Sequence, residues 1–318
     1  MLTLDDVRRA ESLLRPHLAP VPLRRSFALR GQNAFLKLEC WQPTGSFKVR
    51  GALATMASLN PEERARGVVA ASAGNHALGV AFAAATLGGN TRADLFVPES
   101  APRAKVEKLR TFPVTVHEGG RTYDDAYAEA QAYQARTGAT YVHAFDDPRT
   151  AAGQGTCGLE ILEQLEGVGT ILVPVGGGGL LAGIATVVKA LRPDVRIVAV
   201  QPMASPALAE SLRQGRPLLE YDAGPTLADG LAGGIGQMAW DHRSLVDAVV
   251  NVPEAEVERA MVALLCEDQV LAEGSGAVGV AALRAGLVGG LAERPVVAVV
   301  TGANVDAGVL RRLLSAGA

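Results

Sequence analysis

The chain has 318 residues, and its 30 Lys and Arg nearly balance its 33 Asp and Glu. This charge balance gives no support to nucleic-acid or membrane-surface binding, and no apolar run approaches the roughly 20 residues that a membrane span requires. The 3 cysteines (Cys40, Cys157 and Cys266) have no paired spacing, which argues against a disulfide framework and a zinc knuckle. Because no apolar secretion signal is visible at the start of the chain, we expect an intracellular, cytoplasmic protein.

Strands and helices are predicted to alternate along the whole chain. The first elements are a helix over residues 4–14, a strand over residues 34–38 and a helix that begins near Lys48 and is stopped by Asn60-Pro61. Next come strands over residues 68–71, 93–97, 114–117 and 140–144, alternating with helices over residues 76–87, 102–111 and 123–137. In the second half a helix is predicted over residues 180–191 and strands over residues 170–175, 196–200, 248–252 and 296–300.

This alternation predicts an α/β fold. Strands that are separated by helices form βαβ units, and their strands run parallel in the sheet. The later strands are apolar on both faces, which is typical of a sheet covered by helices on both sides. Since the length exceeds the ~100 to 200 residues of one domain, we expect two domains. The large one would contain residues 1–55 and 143–318, and the small one residues 56–142.

Lys48 is the first candidate functional residue. Ser46 is the expected N-cap of the helix and would place Lys48 in its first turn. A cation is disfavoured at the positive end of a helix dipole, so we expect the pKa of the amine to be lowered and its neutral, nucleophilic form to be enriched. A lysine that forms a Schiff base needs this property. Taken alone, a solvated surface lysine near a helix start fits the same residues.

Four consecutive glycines, Gly176, Gly177, Gly178 and Gly179, separate a predicted buried strand from a predicted helix. Such a loop directs several backbone N–H groups to one point at the positive end of a helix dipole, which predicts a phosphate site. A tight turn without a ligand also fits, and so does a dinucleotide-binding loop, although Gln201 stands where that motif has an acidic residue. No Gly-Lys-Ser/Thr follows the glycines, which excludes a P-loop.

Two further stretches follow predicted strands. One is the loop of Ser72, Ala73, Gly74, Asn75 and His76, whose backbone amides suit a carboxylate, although a generic loop between a strand and a helix fits as well. The other begins at Thr301, whose hydroxyl would project from the carboxyl end of the last strand, where open α/β sheets bind ligands. Asn304 or Asp306 in this stretch could instead cap the C-terminal helix.

In this order along the chain, these stretches resemble the fold-type II pyridoxal-phosphate (PLP) enzymes of the tryptophan synthase β-like fold. The resemblance is strongest to the threonine/serine dehydratase (ammonia-lyase) family in its short form without a regulatory domain, and it covers essentially the whole chain. The matching motifs are Thr44-Gly-Ser-Phe-Lys48, Ser72-Ala-Gly-Asn-His76, Phe145-Asp-Asp-Pro148, Gly153-Gln-Gly-Thr156, the four glycines, Thr226-Leu-Ala-Asp-Gly230, Glu273-Gly-Ser-Gly276 and Thr301-Gly-Ala-Asn304.

The resemblance implies PLP as the cofactor and a role for each motif. Lys48 would carry the cofactor as a Schiff base and act as the catalytic base. The amides of Gly176, Gly177, Gly178, Gly179 and Leu180 would hold the cofactor phosphate. Asn75 would bond the ring hydroxyl and Thr301 the ring nitrogen, while Phe47 and Gly230 would bracket the ring. The loop of Ser72, Ala73, Gly74, Asn75 and His76 would bind the substrate carboxylate.

The implied reaction is β-elimination of L-threonine or L-serine to a 2-keto acid and ammonium. Serine racemases resemble this chain but carry a serine where Ala73 stands, and a methyl group cannot transfer a proton, so we expect dehydration to dominate. Racemases also place acidic cation ligands in the segment that corresponds to residues 201–207, which contains none here, so we expect no metal site there.

Several alternatives stay open. The substrate could be another β-hydroxy amino acid, such as 3-hydroxyaspartate, phenylserine or an intermediate of hydroxyectoine breakdown, because pocket shape alone sets that choice. A serine racemase is a further alternative. The alternative that is not an enzyme is a phosphate- or dinucleotide-binding module. The resemblance implies a homodimer or homotetramer whose only other partner is a small amino-acid substrate.

Overall fold

The computed structural model describes residues 1–88, 91–101, 103–291 and 293–316. The strands in these ranges are β1 (Leu23–Arg25), β2 (Ala34–Lys37), β3 (Val68–Ala71), β4 (Ala93–Val97), β5 (Thr115–Glu118), β6 (Thr140–Tyr141), β7 (Thr170–Pro174), β8 (Arg196–Pro202), β9 (Ala248–Val252) and β10 (Val296–Val299). The α-helices are α1 (Leu4–Leu14), α2 (Lys48–Ala57), α3 (Pro61–Arg66), α4 (Asn75–Thr86), α5 (Arg103–Arg110), α6 (Tyr123–Thr137), α7 (Pro148–Gln164), α8 (Gly179–Leu191), α9 (Ala207–Gln214), α10 (Gln237–Asp241), α11 (Glu254–Glu267), α12 (Gly274–Arg284) and α13 (Ala307–Ala316).

The strands form two sheets. The larger sheet has the order β1-β2-β10-β7-β8-β9, and the smaller one has the order β5-β4-β3-β6. Strands β7, β8 and β10 are buried along almost their whole length, because helices cover both faces of the larger sheet. The predicted α/β fold is therefore confirmed. The division of the chain into two domains at residues 55/56 and 142/143 stays a prediction.

One strand departs from the predicted parallel arrangement. β1 pairs antiparallel with β2 at the edge of the larger sheet, whereas the other pairs in both sheets are parallel. β1 has only 3 residues and is partly exposed. A segment this short carries no readable alternation of apolar and polar residues, and an antiparallel edge strand on a parallel sheet is common.

Several predicted elements have the predicted bounds, namely α1, β3, β4, α6 and β9. Others differ by a few residues at their ends, and the predicted start of one helix at Pro102 lies outside the described residues. Asn60-Pro61 does more than stop α2. The Asn60 side chain accepts from the N–H of Glu63 at 2.8 Å, and Pro61 occupies the first turn of α3, a helix that we did not predict.

The predicted N-cap at Ser46 is wrong. α2 begins at Lys48, and no side chain caps it. Ser46 is instead paired with Gly302 in an isolated antiparallel bridge, and the N–H of Phe47 donates to the carbonyl of Thr301 at 3.0 Å. The segment before the helix is thus held against the chain that follows β10. Lys48 still lies in the first helical turn, as predicted.

The topology brings the candidate loops together. β2, β7 and β10 are parallel neighbours, so their carboxyl ends lie at one edge of the larger sheet. The loop to Lys48, the four glycines and Thr301 follow these three strands in turn. The Ser72–His76 loop follows β3 of the smaller sheet. None of the helices in the described ranges combines the length and apolar character of a membrane-spanning segment.

Candidate active site

A cavity of about 970 Å³ lies where these loops meet. Every residue for which the sequence predicts a site role lines it: Phe47, Lys48, Ser72, Ala73, Gly74, Asn75, His76, Gly176, Gly177, Gly178, Gly179, Leu180, Gly230 and Thr301. These residues are spread over more than 250 positions of the chain, so only the tertiary fold can bring them together. Their individual roles stay predictions.

The Lys48 side chain is half-buried and lines the cavity. Its Nζ donates to the carbonyl of Ala144 at 2.8 Å. Burial lowers the pKa of this amine to about 8, and the carboxylate of Glu273 acts in the opposite direction. The direction of the pKa shift is the one expected from the sequence, but its main cause is removal from water rather than the helix dipole.

A buried ion-pair cluster fixes the segment that carries Lys48. Arg50, in the same helix as Lys48, makes a bidentate pair with Glu39, with distances of 2.7 Å and 2.8 Å. Its guanidinium also contacts Glu160 of α7 at 2.7 Å and Thr156 at 3.0 Å. Bidentate pairing of this kind is directional as well as strong. Because Arg50 lies two residues after Lys48, these contacts hold the first turn of α2 against Glu39 and α7.

The four-glycine loop is shaped by close contacts with the protein. A side chain at Gly178 would clash with Ala239, and its φ of +85° lies in the region that favours glycine. A Cβ at Gly179 would lie 2.5 Å from the carbonyl oxygen of Phe145. The loop leads directly into α8, a helix of 13 residues whose first amides have no carbonyl partner within the helix. These amides face the same cavity as Lys48, which makes the loop a suitable anion site.

The Ser72–His76 loop forms the start of α4. The Ser72 hydroxyl accepts from the N–H of Gly74 at 3.1 Å and so stabilises the turn. The His76 ring lies 2.7 Å from the carbonyl of Val142 through Nε2, and burial lowers its pKa to about 3. A carbonyl only accepts, so Nε2 carries a proton, and the lowered pKa favours the neutral ring at neutral pH. The ring of His76 thus fixes the start of α4 against the chain after β6.

Glu273 and Asn304 also line the cavity, and the sequence-based predictions give neither of them a role in the site, although both lie within quoted motifs. Glu273 precedes α12, and burial raises the pKa of its carboxyl to about 7, with the nearby charge of Asp229 adding to the effect. Asn304 lies in the loop after β10 and hydrogen-bonds to Asn75. Their positions in the motifs Glu273-Gly-Ser-Gly276 and Thr301-Gly-Ala-Asn304 were the available signal, but which atoms they contact depends on the fold.

Gly230 and Thr301 contribute to the cavity wall from separate segments. The N–H of Gly230 donates to the hydroxyl of Ser275 at 3.0 Å, and a Cβ at Gly230 would lie 2.9 Å from that oxygen. Thr301 is buried just after β10. Within the described ranges, no group of three or more His, Cys, Asp or Glu side chains could hold a metal ion.

Nearly the whole chain is similar to known proteins. The family model described as pyridoxal-phosphate dependent enzyme matches residues 14–302. An L-threonine ammonia-lyase of Thermotoga maritima is 42% identical over 322 residues, which cover 100% of this chain and 79% of that protein. An L-threonine ammonia-lyase of Geobacter sulfurreducens is 44% identical over 312 residues, covering 96% and 76%.

Solved structures agree in fold along almost the full length. The processed form of threonine deaminase isoform 2 from Solanum lycopersicum has a TM-score of 0.90 and 32% identity, covering 98% of this chain and 87% of its own. Maize serine racemase has a TM-score of 0.90 and 33% identity, with coverage of 99% and 98%. Deaminase and racemase relatives thus share this backbone, and the two activities must be distinguished by individual side chains.

Proposed function

This chain belongs to the family of pyridoxal-phosphate-dependent enzymes, and we propose that it converts L-threonine, and L-serine, to the 2-keto acid and ammonium. Two relatives more than 40% identical over almost the whole chain are named L-threonine ammonia-lyases. The observation that carries the proposal is one cavity that holds both a lysine amine with a pKa of about 8 and the amides of a glycine loop at a helix start. A PLP enzyme needs both features.

The residues present fit the cofactor. Its phosphate needs anion-binding amides, which the Gly176–Gly179 loop and Leu180 supply at the start of α8. Its aldehyde needs a neutral amine, which Lys48 supplies. Its ring hydroxyl and ring nitrogen need hydrogen-bonding groups, and Asn75 and Thr301 line the same cavity. We therefore propose that these residues hold PLP in the roles given above.

Bound PLP draws electrons away from the α-carbon of an amino acid that is attached to it. The chain supplies the remaining chemistry. The amides at the start of α4, in the Ser72–His76 loop, bind the substrate carboxylate. The neutral Nζ of Lys48 accepts the α-proton, and its pKa of about 8 suits proton transfer near neutral pH. Water is then lost from the α- and β-carbons, and hydrolysis of the carbon–nitrogen bond yields the 2-keto acid and ammonium.

Ala73 favours elimination over racemisation. It lines the cavity in the same loop as Asn75, and its methyl group cannot donate a proton. Racemisation requires a second acid or base that delivers a proton to the face of the α-carbon opposite Lys48. With a methyl group at Ala73, we expect the β-carbon to lose its hydroxyl rather than the α-carbon to be reprotonated from that face.

The test is keto-acid release from a panel of β-hydroxy amino acids with the PLP-loaded protein. The panel contains L-threonine, L-serine, 3-hydroxyaspartate and phenylserine. We expect the highest kcat/KM with L-threonine and complete loss of activity in Lys48→Ala. Lys189→Ala serves as the matched control, because Lys189 pairs with Asp247 and does not line the cavity. Faster turnover of another substrate, or full activity in Lys48→Ala, would contradict the proposal.

We further propose that the protein is cytoplasmic and forms a homodimer or homotetramer, as the resemblance implies. The three free cysteines support a reducing compartment. Light scattering coupled to size-exclusion chromatography measures the oligomeric state, and a monomer at micromolar concentration would contradict the second proposal. The two-domain division at residues 56–142 is testable by limited proteolysis, with first cleavages expected near these boundaries.

A further inference from the structure

A chain of side-chain hydrogen bonds surrounds the amide of Asn75. Its Oδ1 accepts from Nδ2 of Asn304 at 2.7 Å, and its Nδ2 donates to Oε1 of Glu273 at 2.7 Å. Nδ2 of Asn304 also donates to the carbonyl of Thr44 at 2.9 Å. The three side chains come from the start of α4, the residue before α12 and the loop after β10, so this arrangement exists only in the folded protein.

The chemistry of these groups fixes which way each amide points. The carbonyl of Thr44 can only accept, so the atom of Asn304 that faces it must be the nitrogen. The second N–H of that nitrogen then donates to Asn75, and the atom of Asn75 that receives it must be the oxygen. The nitrogen of Asn75 consequently faces Glu273. It uses one N–H for this carboxylate and has a second N–H left to donate.

The backbone is shaped to admit this chain of bonds. A Cβ at Gly302 would clash with Oε1 of Glu273, and a Cβ at Gly45 would lie 3.0 Å from Oδ1 of Asn304. Gly45 also has a φ of +75°, a conformation that residues with a side chain rarely adopt. Two glycines from separate segments thus leave the space that Glu273 and Asn304 occupy.

We propose that Asn304 and Glu273 are positioning residues that lock the Asn75 amide with its remaining N–H directed to an oxyanion of the bound cofactor. The inference rests on the proposed role of Asn75 toward PLP. Without Asn304, the Asn75 amide can rotate by 180° about its terminal bond and present its oxygen instead. The amide oxygen and the ring oxygen then repel each other, so a stabilising hydrogen bond is replaced by a destabilising contact.

The test measures the dissociation constant for PLP by titrating the apoprotein and following the change in protein fluorescence. Asn304→Leu keeps the approximate volume but removes the donor, and Asn304→Asp keeps the shape but only accepts. We expect each to weaken PLP binding about 10-fold, the size of one hydrogen bond to a charged group. We also expect the visible spectrum of the bound cofactor to change, because that spectrum responds to hydrogen bonding at the ring oxygen. Asn33→Leu is the matched control, since Asn33 donates to the exposed backbone carbonyl of Glu293 and does not line the cavity.

A double-mutant cycle with Asn75→Ala separates positioning from a general structural effect. If Asn304 acts through Asn75, Asn304→Leu weakens PLP binding in the natural protein but has no further effect in Asn75→Ala. Provided that Asn75→Ala itself weakens PLP binding, either of two results would overturn the inference. One is an equal loss of affinity from Asn304→Leu in both backgrounds, and the other is no loss in either Asn304 variant. If Asn75→Ala itself leaves the dissociation constant unchanged, the proposed role of Asn75 is wrong and the inference is overturned with it.

Discussion

The Lys48 amine should titrate with a pKa near 8 in the apoprotein, and this value determines how much nucleophile is available. At pH 7.5 an amine with a pKa of about 8 is about 24% neutral, whereas an ordinary lysine with a pKa of about 10.4 is about 0.1% neutral. Burial therefore increases the neutral fraction about 200-fold. Replacing Glu273 by Gln removes the carboxylate that raises this pKa, so we expect the titration midpoint in Glu273→Gln to fall below that of the natural protein.

The assay is trace acetylation of the apoprotein between pH 6 and pH 11, with the rate at Lys48 measured by mass spectrometry of its peptide. Only the neutral amine reacts, so the rate rises with pH and levels off above the pKa. Lys189 provides an internal reference outside the cavity. A rate at Lys48 that still rises tenfold per pH unit between pH 9 and pH 10 would refute the burial argument. An unchanged midpoint in Glu273→Gln would refute the electrostatic part of it.

Three further predictions address the glycine loop, the substrate loop and acid stability. Gly178→Ala should lower the free energy of unfolding by about 2 to 5 kcal/mol and weaken PLP binding, because the new methyl group meets Ala239 and the residue has a φ of +85°. In the matched variant Gly215→Ala the φ is +68° and no atom is nearby, so only about 1 kcal/mol of backbone strain is expected. Equal losses in the two variants would contradict the steric explanation. Ala73→Ser should raise the rate of D-serine formation from L-serine at least about 10-fold, measured by chiral chromatography, and an unchanged rate would show that a hydroxyl at this position does not reach the α-carbon. His76 has a pKa of about 3 in the folded protein, below its unfolded value, so the stability it contributes is lost as the pH falls from about 6.5 toward 3. Between pH 7 and pH 5 the free energy of unfolding of the natural protein should fall by about 2 kcal/mol more than that of His76→Asn, measured by denaturant titration. Parallel losses in the two proteins would contradict the lowered pKa of His76.

The secondary-structure elements that the sequence predicts correctly are those whose type and ends are specified by their own residues. The helix Leu4–Leu14 has apolar residues at helical spacing, and its Thr3 cap and Asp6 form a capping box. The strand Val68–Ala71 is a short apolar run between turn signals. By contrast, the helix Pro148–Gln164 was not predicted, since its glycines lower helix propensity. Two of these glycines have a packing role: Gly153 lies against the backbone of α2 and Gly155 against that of α8, where a side chain would not fit.

The sequence likewise predicts only part of the candidate site. Motifs indicate which residues reach the cavity, because loops after parallel strands share one edge of a sheet. They do not show what each side chain contacts. The pKa of Lys48 depends mainly on burial by distant segments, and the orientation of Asn75 depends on Glu273 and Asn304, which lie 198 and 229 positions away. Such contacts depend on how the segments pack against one another.

Borohydride reduction of the PLP-loaded protein tests the central claim most directly, because it makes the bond between cofactor and amine permanent. We expect the visible absorption band to disappear and peptide mapping by mass spectrometry to find the pyridoxyl group on Lys48 alone. A label on Lys105, which also lines the cavity, or on any other lysine would contradict the assignment of Lys48 as the residue that carries the cofactor.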